Sequence, residues 1–201
     1  HKLQQITDYS DHVWGDTNFP LQLVRYYNSS VSIPAGMFGN VWRSNFDRSV
    51  AVSESIATVI RPAGGMKRFT LQNGSWTPSS YVVDKLIEQT SNGVRTGWQY
   101  ISDDLTIEQY DAAGVLLALT NRYGHTLTLT YQAGKLFRVT DEAGRFLEFT
   151  FDSTLGVVRS ILDPVGQEYL YGYDTVAVGS STRPRLISVQ YPDKTPADTT
   201  D

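Results

Sequence analysis

The chain has 201 residues, a net charge of -4 and a pI near 5.3, and its 17 Lys and Arg are scattered, so no basic stripe is available to hold a nucleic acid. Cysteine is absent, which removes disulfides, thiol nucleophiles and cysteine-based zinc sites. The length admits one all-β domain or two small ones, and no run approaches the roughly 18 apolar residues of a membrane helix, so no membrane insertion of that kind is expected.

In chain order, residues 3–9 and 19–27 read as strands, the second with Leu21, Leu23 and Arg25 on one face and Gln22, Val24 and Tyr26 on the other. A Gly/Pro/Asn/Ser-rich loop over 28–40 follows. In the next stretch, 41–50, Trp42, Asn45 and Phe46 do not keep period two, which predicts a bend near Ser44. Further strands are expected near 55–61, 66–71, 80–89, 94–101 and 105–110. Asn73-Gly74 and Asn92-Gly93 serve as two-residue hairpin turns, because both central residues take positive φ there. Residues 82–90 also fit a short helix, although the flanking Ser and Asn-Gly favour a strand.

From Tyr110 the chain becomes regular. Glycines 114, 124, 134, 144, 156 and 166 follow at steps of 10, 10, 10, 12 and 10. Four of them close an Asx-x-x-Gly unit beginning at Asp111, Asn121, Asp141 and Asp163. The Asx side chain can bond backbone two residues on, and Gly accepts the positive φ at the exit. Aromatics at 110, 131, 151 and 173 mark a unit of 21, 20 and 22 residues, two strands and two turns. Leu127/Leu129/Tyr131, Leu147/Phe149/Phe151 and Tyr169/Tyr171/Tyr173 place one apolar face on successive strands, and that face must be covered. On the alternate strands Leu116/Leu119, Leu136/Val139, Val158/Ile161 and Leu186/Val189 recur at a spacing of three, which an ideal strand would put on opposite faces. Twist, a bulge or burial on both sides would each reconcile it. About fifteen strands in one flat sheet would span on the order of 70 Å, so the sheet is expected to curl. Such a sheet leaves two raw edges, to be covered by loops or by self-association.

These residues resemble the YD repeat of the Rhs (rearrangement hotspot) family. Tyr110-Asp-Ala-Ala-Gly-Val-Leu116, Leu119-Thr-Asn-Arg-Tyr-Gly124 and Leu127-Thr-Leu-Thr-Tyr131 carry the likeness, with Thr140–Arg145, Asp163–Gly166 and Tyr173-Asp174 as further copies. Phe19–Asn28 and Trp42–Arg48 are similar to the segment that often precedes the first repeats in bacterial members. The chain departs from the pattern at Gln132 and Phe151 and through the interruption at 176–182, and the motif at which some members self-cleave has no counterpart. The resemblance implies an antiparallel β-hairpin meander of YD-type repeats forming a curled sheet, part of a shell. It would comprise an N-terminal region over 1–109, repeats over 110–193 and a polar tail over 194–201. It further implies a secreted or cell-surface bacterial protein whose partner is a C-terminal toxin or effector domain of a longer parent chain. The start at His1 and the polar end at 196–201 fit a piece of such a chain.

No catalytic, cofactor-binding or metal site is assigned from the sequence. His1, His12 and His125 are separated and lack ligand spacing. Asp103, Asp104, Glu108 and Asp111 are the acids that could form a hydrolase pair, but Asp111, Asp141 and Asp163 already have a turn role, and no sign of burial marks the others. Asp8, Asp11 and Asp16 could offer oxygens to calcium without following the EF-hand pattern. Trp14, Trp76 and Trp98 are the candidates for a sugar-stacking platform beside the loops at 10–18, 28–40 and 73–80. The expected function is structural, with a cell-surface or carbohydrate-binding module as the alternative and a glycoside-type hydrolase a distant third.

Overall fold

The computed structural model describes residues 3–8, 14–16, 19–29, 35–79, 81 and 83–192, with backbone alone for 3–8 and 14–16. Every regular element among them is a β-strand, and all pairing between strands is antiparallel. The strands are β1 (Leu3–Asp8), β2 (Trp14–Asp16), β3 (Phe19–Leu21), β4 (Leu23–Asn28), β5 (Trp42–Ser44), β6 (Ser49–Ser53), β7 (Ile56–Ile60), β8 (Met66–Gln72), β9 (Ser75–Pro78) and β10 (Lys85–Ser91). They continue as β11 (Val94–Ile101), β12 (Ile107–Asp111), β13 (Leu116–Thr120), β14 (Thr126–Gln132), β15 (Lys135–Thr140), β16 (Phe146–Phe151), β17 (Val158–Leu162), β18 (Glu168–Val178) and β19 (Ser181–Gln190).

The strands form four sheets instead of one: β1-β4-β5, β2-β3, the meander β6 to β9, and a ten-stranded meander from β10 to β19 in chain order. Lys85–Ser91 is a strand paired with β11, not a helix, and β2 and β9 arise within stretches read as loop. The strand expected over 19–27 is broken at Gln22. Leu23, Val24 and Arg25 are all buried, so both faces of β4 are covered and its alternation is lost. The bend expected near Ser44 is present, since β5 ends there and a turn follows.

The turns follow their local chemistry. In the Asn121 turn the Asn121 Oδ1 accepts from the backbone N–H of Tyr123 at 2.9 Å and of His125 at 3.0 Å, and Asp141 and Asp163 do the same two and four residues on. Asn73-Gly74 and Asn92-Gly93 take the paired positive φ of a two-residue hairpin turn.

The spacing of three is explained by bulges. Tyr110 pairs with Leu116 and Gln109 with Ala118, so Leu117 is an extra residue. Phe137 against Tyr131, Arg159 against Phe151 and Ile187 against Tyr173 repeat the arrangement. Each repeat aromatic therefore faces a bulge. One added residue brings Leu116 opposite Tyr110 and Leu119 opposite Glu108, two positions apart on β12, and both leucines turn inward. A bulge bends and over-twists its strand, and repetition at the same place in every second strand accumulates curvature in one sense.

The apolar face of the ten-stranded sheet is covered by the N-terminal half. Residues 36–50 cross it as a strap: Phe38, fully buried, packs on Tyr171 with ring centroids 4.9 Å apart, and Phe46 meets Phe149 edge-on at 6.2 Å. Backbone bonds anchor the strap at three places: Asn40 N to Pro184 O at 2.7 Å, Val158 N to Met37 O at 2.9 Å and Val50 N to Gly114 O at 3.0 Å. The first also covers the outer edge of β19 where Pro184 has no N–H to offer, one of the edge protections expected of an open sheet. A single apolar cluster runs from Leu21 through Phe69, Trp98 and Leu129 to Leu186.

Candidate functional site

Glu108 is the fully buried carboxylate among the described residues around which charges gather. It lies two residues before Tyr110 on β12, on the face that the strand buries, and none of its surface reaches solvent. Such a carboxylate must be paired to stay ionised. Arg61 supplies a two-pronged contact, Nη1 to Oε2 at 2.6 Å and Nη2 to Oε1 at 2.7 Å, while Arg48 Nη1 and the Tyr110 hydroxyl complete the shell. Burial works to raise the Glu108 pKa, but the Arg48 charge and the Arg61 hydrogen bonds outweigh it and hold the carboxyl below its ordinary value. The same bonds raise Arg61 against its own burial, and burial together with the Glu108 charge lifts the Tyr110 phenol. The group is thus a fixed anion clamped by guanidiniums, poorly suited to giving up a proton near neutrality.

Arg48 and Arg61 also form part of the wall of a cleft of about 480 Å³. Tyr100, Asp84 and Asn121 lie deeper in it, and Asp103, Asp104, Arg122 and Tyr123 are exposed residues of its lining. Asp84 is buried and accepts from the Tyr100 hydroxyl at 2.8 Å, with Lys67 3.3 Å away. Arg61 stacks on the Tyr100 ring at 4.6 Å. Asp104 receives the Ser102 hydroxyl and the Thr106 N–H; these bonds, with the Arg48 charge, outweigh the desolvation of its carboxyl and hold its pKa below the usual value.

The structure brings Asp103, Asp104 and Glu108 into one neighbourhood but gives them different tasks. Glu108 is buried, contrary to the expectation that nothing marked burial among these acids, and Asp111 caps its own turn through the Val115 N–H at 2.8 Å. His125 lies 3.3 Å from Glu142. Trp76 and Trp98 are not a stacking platform: Trp98 is 1 % exposed, Trp76 is 9 % exposed, and their rings meet edge-on at 5.4 Å. Trp76 Nε1 donates to Glu88 at 2.9 Å and Arg95 lies over Trp98 at 4.4 Å, so both indoles belong to the core at the β9–β10 boundary. His1, His12 and Asp11 lie outside the described residues, as do the side chains of Asp8, Trp14 and Asp16. Among the described residues no group of three or more His, Asp or Glu is arranged to hold a metal ion.

Sequence reasoning missed Arg48 and Arg61 as partners of Glu108. Period two in Ile107-Glu-Gln-Tyr110 does put Glu108 on the side of the repeat aromatic, which was the available signal. Its cations come from 60 and 47 residues upstream, where nothing local points to it.

A family profile described as "Domain of unknown function (DUF6531)" matches residues 2–69, the stretch that contains the strap, Arg48 and Arg61. No curated protein matches the chain.

Proposed function

We propose that this chain is a structural repeat module, a segment of a YD-repeat shell of the Rhs kind. It would enclose or scaffold a toxin or effector domain belonging to a longer secreted or cell-surface bacterial chain. The observation that carries the reading is the recurrence of one bulge opposite one aromatic in four successive hairpin units, Tyr110, Tyr131, Phe151 and Tyr173. A repeat of this kind builds curvature and area, and adds the same apolar strip with each unit. The strap and the β6 to β9 meander suit a unit that starts such a wall, because they cover the first apolar strips with side chains from the same chain. The profile match over residues 2–69 falls on the region whose sequence is similar to the segment preceding the first repeats.

The native reading frame downstream of Asp201 tests this directly. Further Asx-x-x-Gly hairpins followed by an unrelated domain are expected, and trypsin applied to that full-length product should leave the unrelated domain intact while the repeats stay folded. A native stop codon at 202, or digestion of the downstream domain at the rate of its isolated form, would overturn the proposal.

A further inference from the structure

The strap does not meet the four repeat units evenly. Each bulged strand carries an inward apolar residue at its bulge, Leu116, Leu136, Val158 or Leu186, and the carbonyl two residues earlier belongs to Gly114, Gly134, Gly156 or Pro184. The strap takes the first and the last of these carbonyls, through Val50 N at 3.0 Å and Asn40 N at 2.7 Å, and forms single bridges there from Ser49 to Val115 and from Gly39 to Arg185. Lys135 Nζ takes the third at 3.0 Å. Of the four, the Gly134 carbonyl has no hydrogen-bond partner among the described residues. The same unit also lacks a hydroxyl: Tyr131 and Tyr173 donate to the Leu116 and Val158 carbonyls, whereas Phe151 has nothing to offer that of Leu136.

Where the strap skips this second unit, a gap of about 380 Å³ opens, within the size range of ligand sites. Gly134, Lys135 and Leu136 line it from the sheet and Ala35, Gly36 and Met37 from the strap, and Met37, Val115, Tyr131 and Phe151 keep part of their apolar surface uncovered. The charged groups of the lining are engaged with the chain itself. Arg43 donates to the Asp47 carbonyl at 2.7 Å, the Asp47 carboxylate accepts the Met37 N–H at 3.0 Å, Arg48 is held by Glu108, and Lys135 lies over the Phe151 ring at 5.4 Å while bonded to Gly156. Recognition in the gap therefore falls to backbone groups and apolar contact.

We infer that this gap is a docking slot for an extended, uncharged segment of a partner polypeptide, which donates a backbone N–H to the Gly134 carbonyl and lays an apolar side chain against Met37, Val115, Tyr131 and Phe151. The interface that the strap already makes defines this occupant. At the first unit Val50 shows both halves of the contact, its N–H on the Gly114 carbonyl and its side chain buried beneath. The slot repeats that position one unit further on, with the acceptor and the apolar wall in place. The inference rests on the strap and the bulges and is independent of the shell reading.

The probe is acetyl-Ser-Val-Ala-Val-amide, the sequence of residues 49–52, titrated into the whole 201-residue chain and followed by amide chemical shifts. Saturable shifts at Gly134, Lys135 and Gly156 are expected. N-methylation of the first valine removes the donor and should weaken binding about tenfold, the scale of one hydrogen bond, and replacing both valines by serine should abolish it. Ala113 lines the gap from an exposed turn position that Tyr123 occupies in a sister turn, so Ala113→Tyr should fold and block the slot. Ala143→Tyr, at the same turn position but outside the gap, should leave the affinity unchanged. The spectra report whether each variant is folded, and the N-methyl peptide decides without any variant if Ala113→Tyr is not. Absence of saturation, equal binding of the N-methyl or serine peptide, shifts confined to Gly114 and Val115 or to β19, or unchanged affinity in folded Ala113→Tyr would each overturn the assignment.

Discussion

The Tyr131 hydroxyl donates to the Leu116 carbonyl at 2.7 Å, 15 residues back, and Leu116 is the residue at which β13 bulges against Tyr110. Tyr173 makes the same bond to Val158, again at 2.7 Å and 15 residues back, at the bulge facing Phe151. Each tyrosine thus braces the bulge of the preceding unit while facing a bulge of its own. Burial pushes both phenols above their usual pKa.

The unit between them lacks the brace, because position 151 is Phe and the corresponding acceptor is the Leu136 carbonyl. Phe151→Tyr is expected to stabilise the chain by about 1 kcal/mol, and Tyr131→Phe to destabilise it by about the same amount, the net worth of one hydrogen bond. Urea denaturation of the two variants measures this. A destabilised Phe151→Tyr would show that the brace is not transferable between units.

Gly114 and Gly144 occupy equivalent turns at φ of +84° and +80°, yet a Cβ on Gly114 would stand 1.9 Å from the Val50 carbonyl oxygen while one on Gly144 meets nothing within 4 Å. Gly144→Ala should cost about 1–2 kcal/mol from the left-handed backbone alone. Gly114→Ala should cost more, because the strap must also leave the turn. Equal costs by chemical denaturation would show that the Val50 contact does not hold the strap in solution.

Acid should loosen the junction between the two halves of the chain. Glu108 has a folded pKa below its ordinary 4.5, so its contribution is fully present above that value and is lost as the pH falls below it. Asp47 acts in the opposite sense. Burial around its carboxyl raises the pKa above 3.8 despite Arg43 and the N–H groups of Ser44 and Met37, so its protonation favours the fold in acid. Glu108→Gln is expected to cost about 3–5 kcal/mol at pH 7 by leaving two guanidiniums without their anion, and to flatten the loss of stability below pH 4.5. Melting curves from pH 3 to 7 provide the measurement, and an acid limb as steep in Glu108→Gln as in the parent would contradict the assignment.

The Asp163 turn can be repaired by analogy with its neighbour. Asp141 Oδ2 receives Arg145 Nε at 2.8 Å, whereas Asp163 Oδ2 is buried without a partner among the described residues and Gln167 occupies the place of the arginine. Gln167→Arg is expected to add about 1 kcal/mol of stability by supplying that donor. A thermal midpoint unchanged or lowered in the variant would mean that the side chain does not reach.

The parts of this architecture that could be read without coordinates are those written over a few adjacent residues. The Asx-x-x-Gly turns, the Asn-Gly hairpins and the inward row of Leu127, Leu129 and Tyr131 follow from φ preferences and from the two-residue period of a strand, which act locally. The spacing of three at Leu116/Leu119 was visible but ambiguous, because a bulge exists only in relation to a partner strand and Tyr110 had first to be paired with Leu116. The burial of Trp76 and Trp98, the meeting of Phe38 with Tyr171 and the clamp of Arg48 and Arg61 on Glu108 depend on segments brought together across tens of residues. Those choices belong to the packed chain, where an apolar sheet face is covered by whichever segment fits it and a buried charge is kept only when its counter-charges arrive with it.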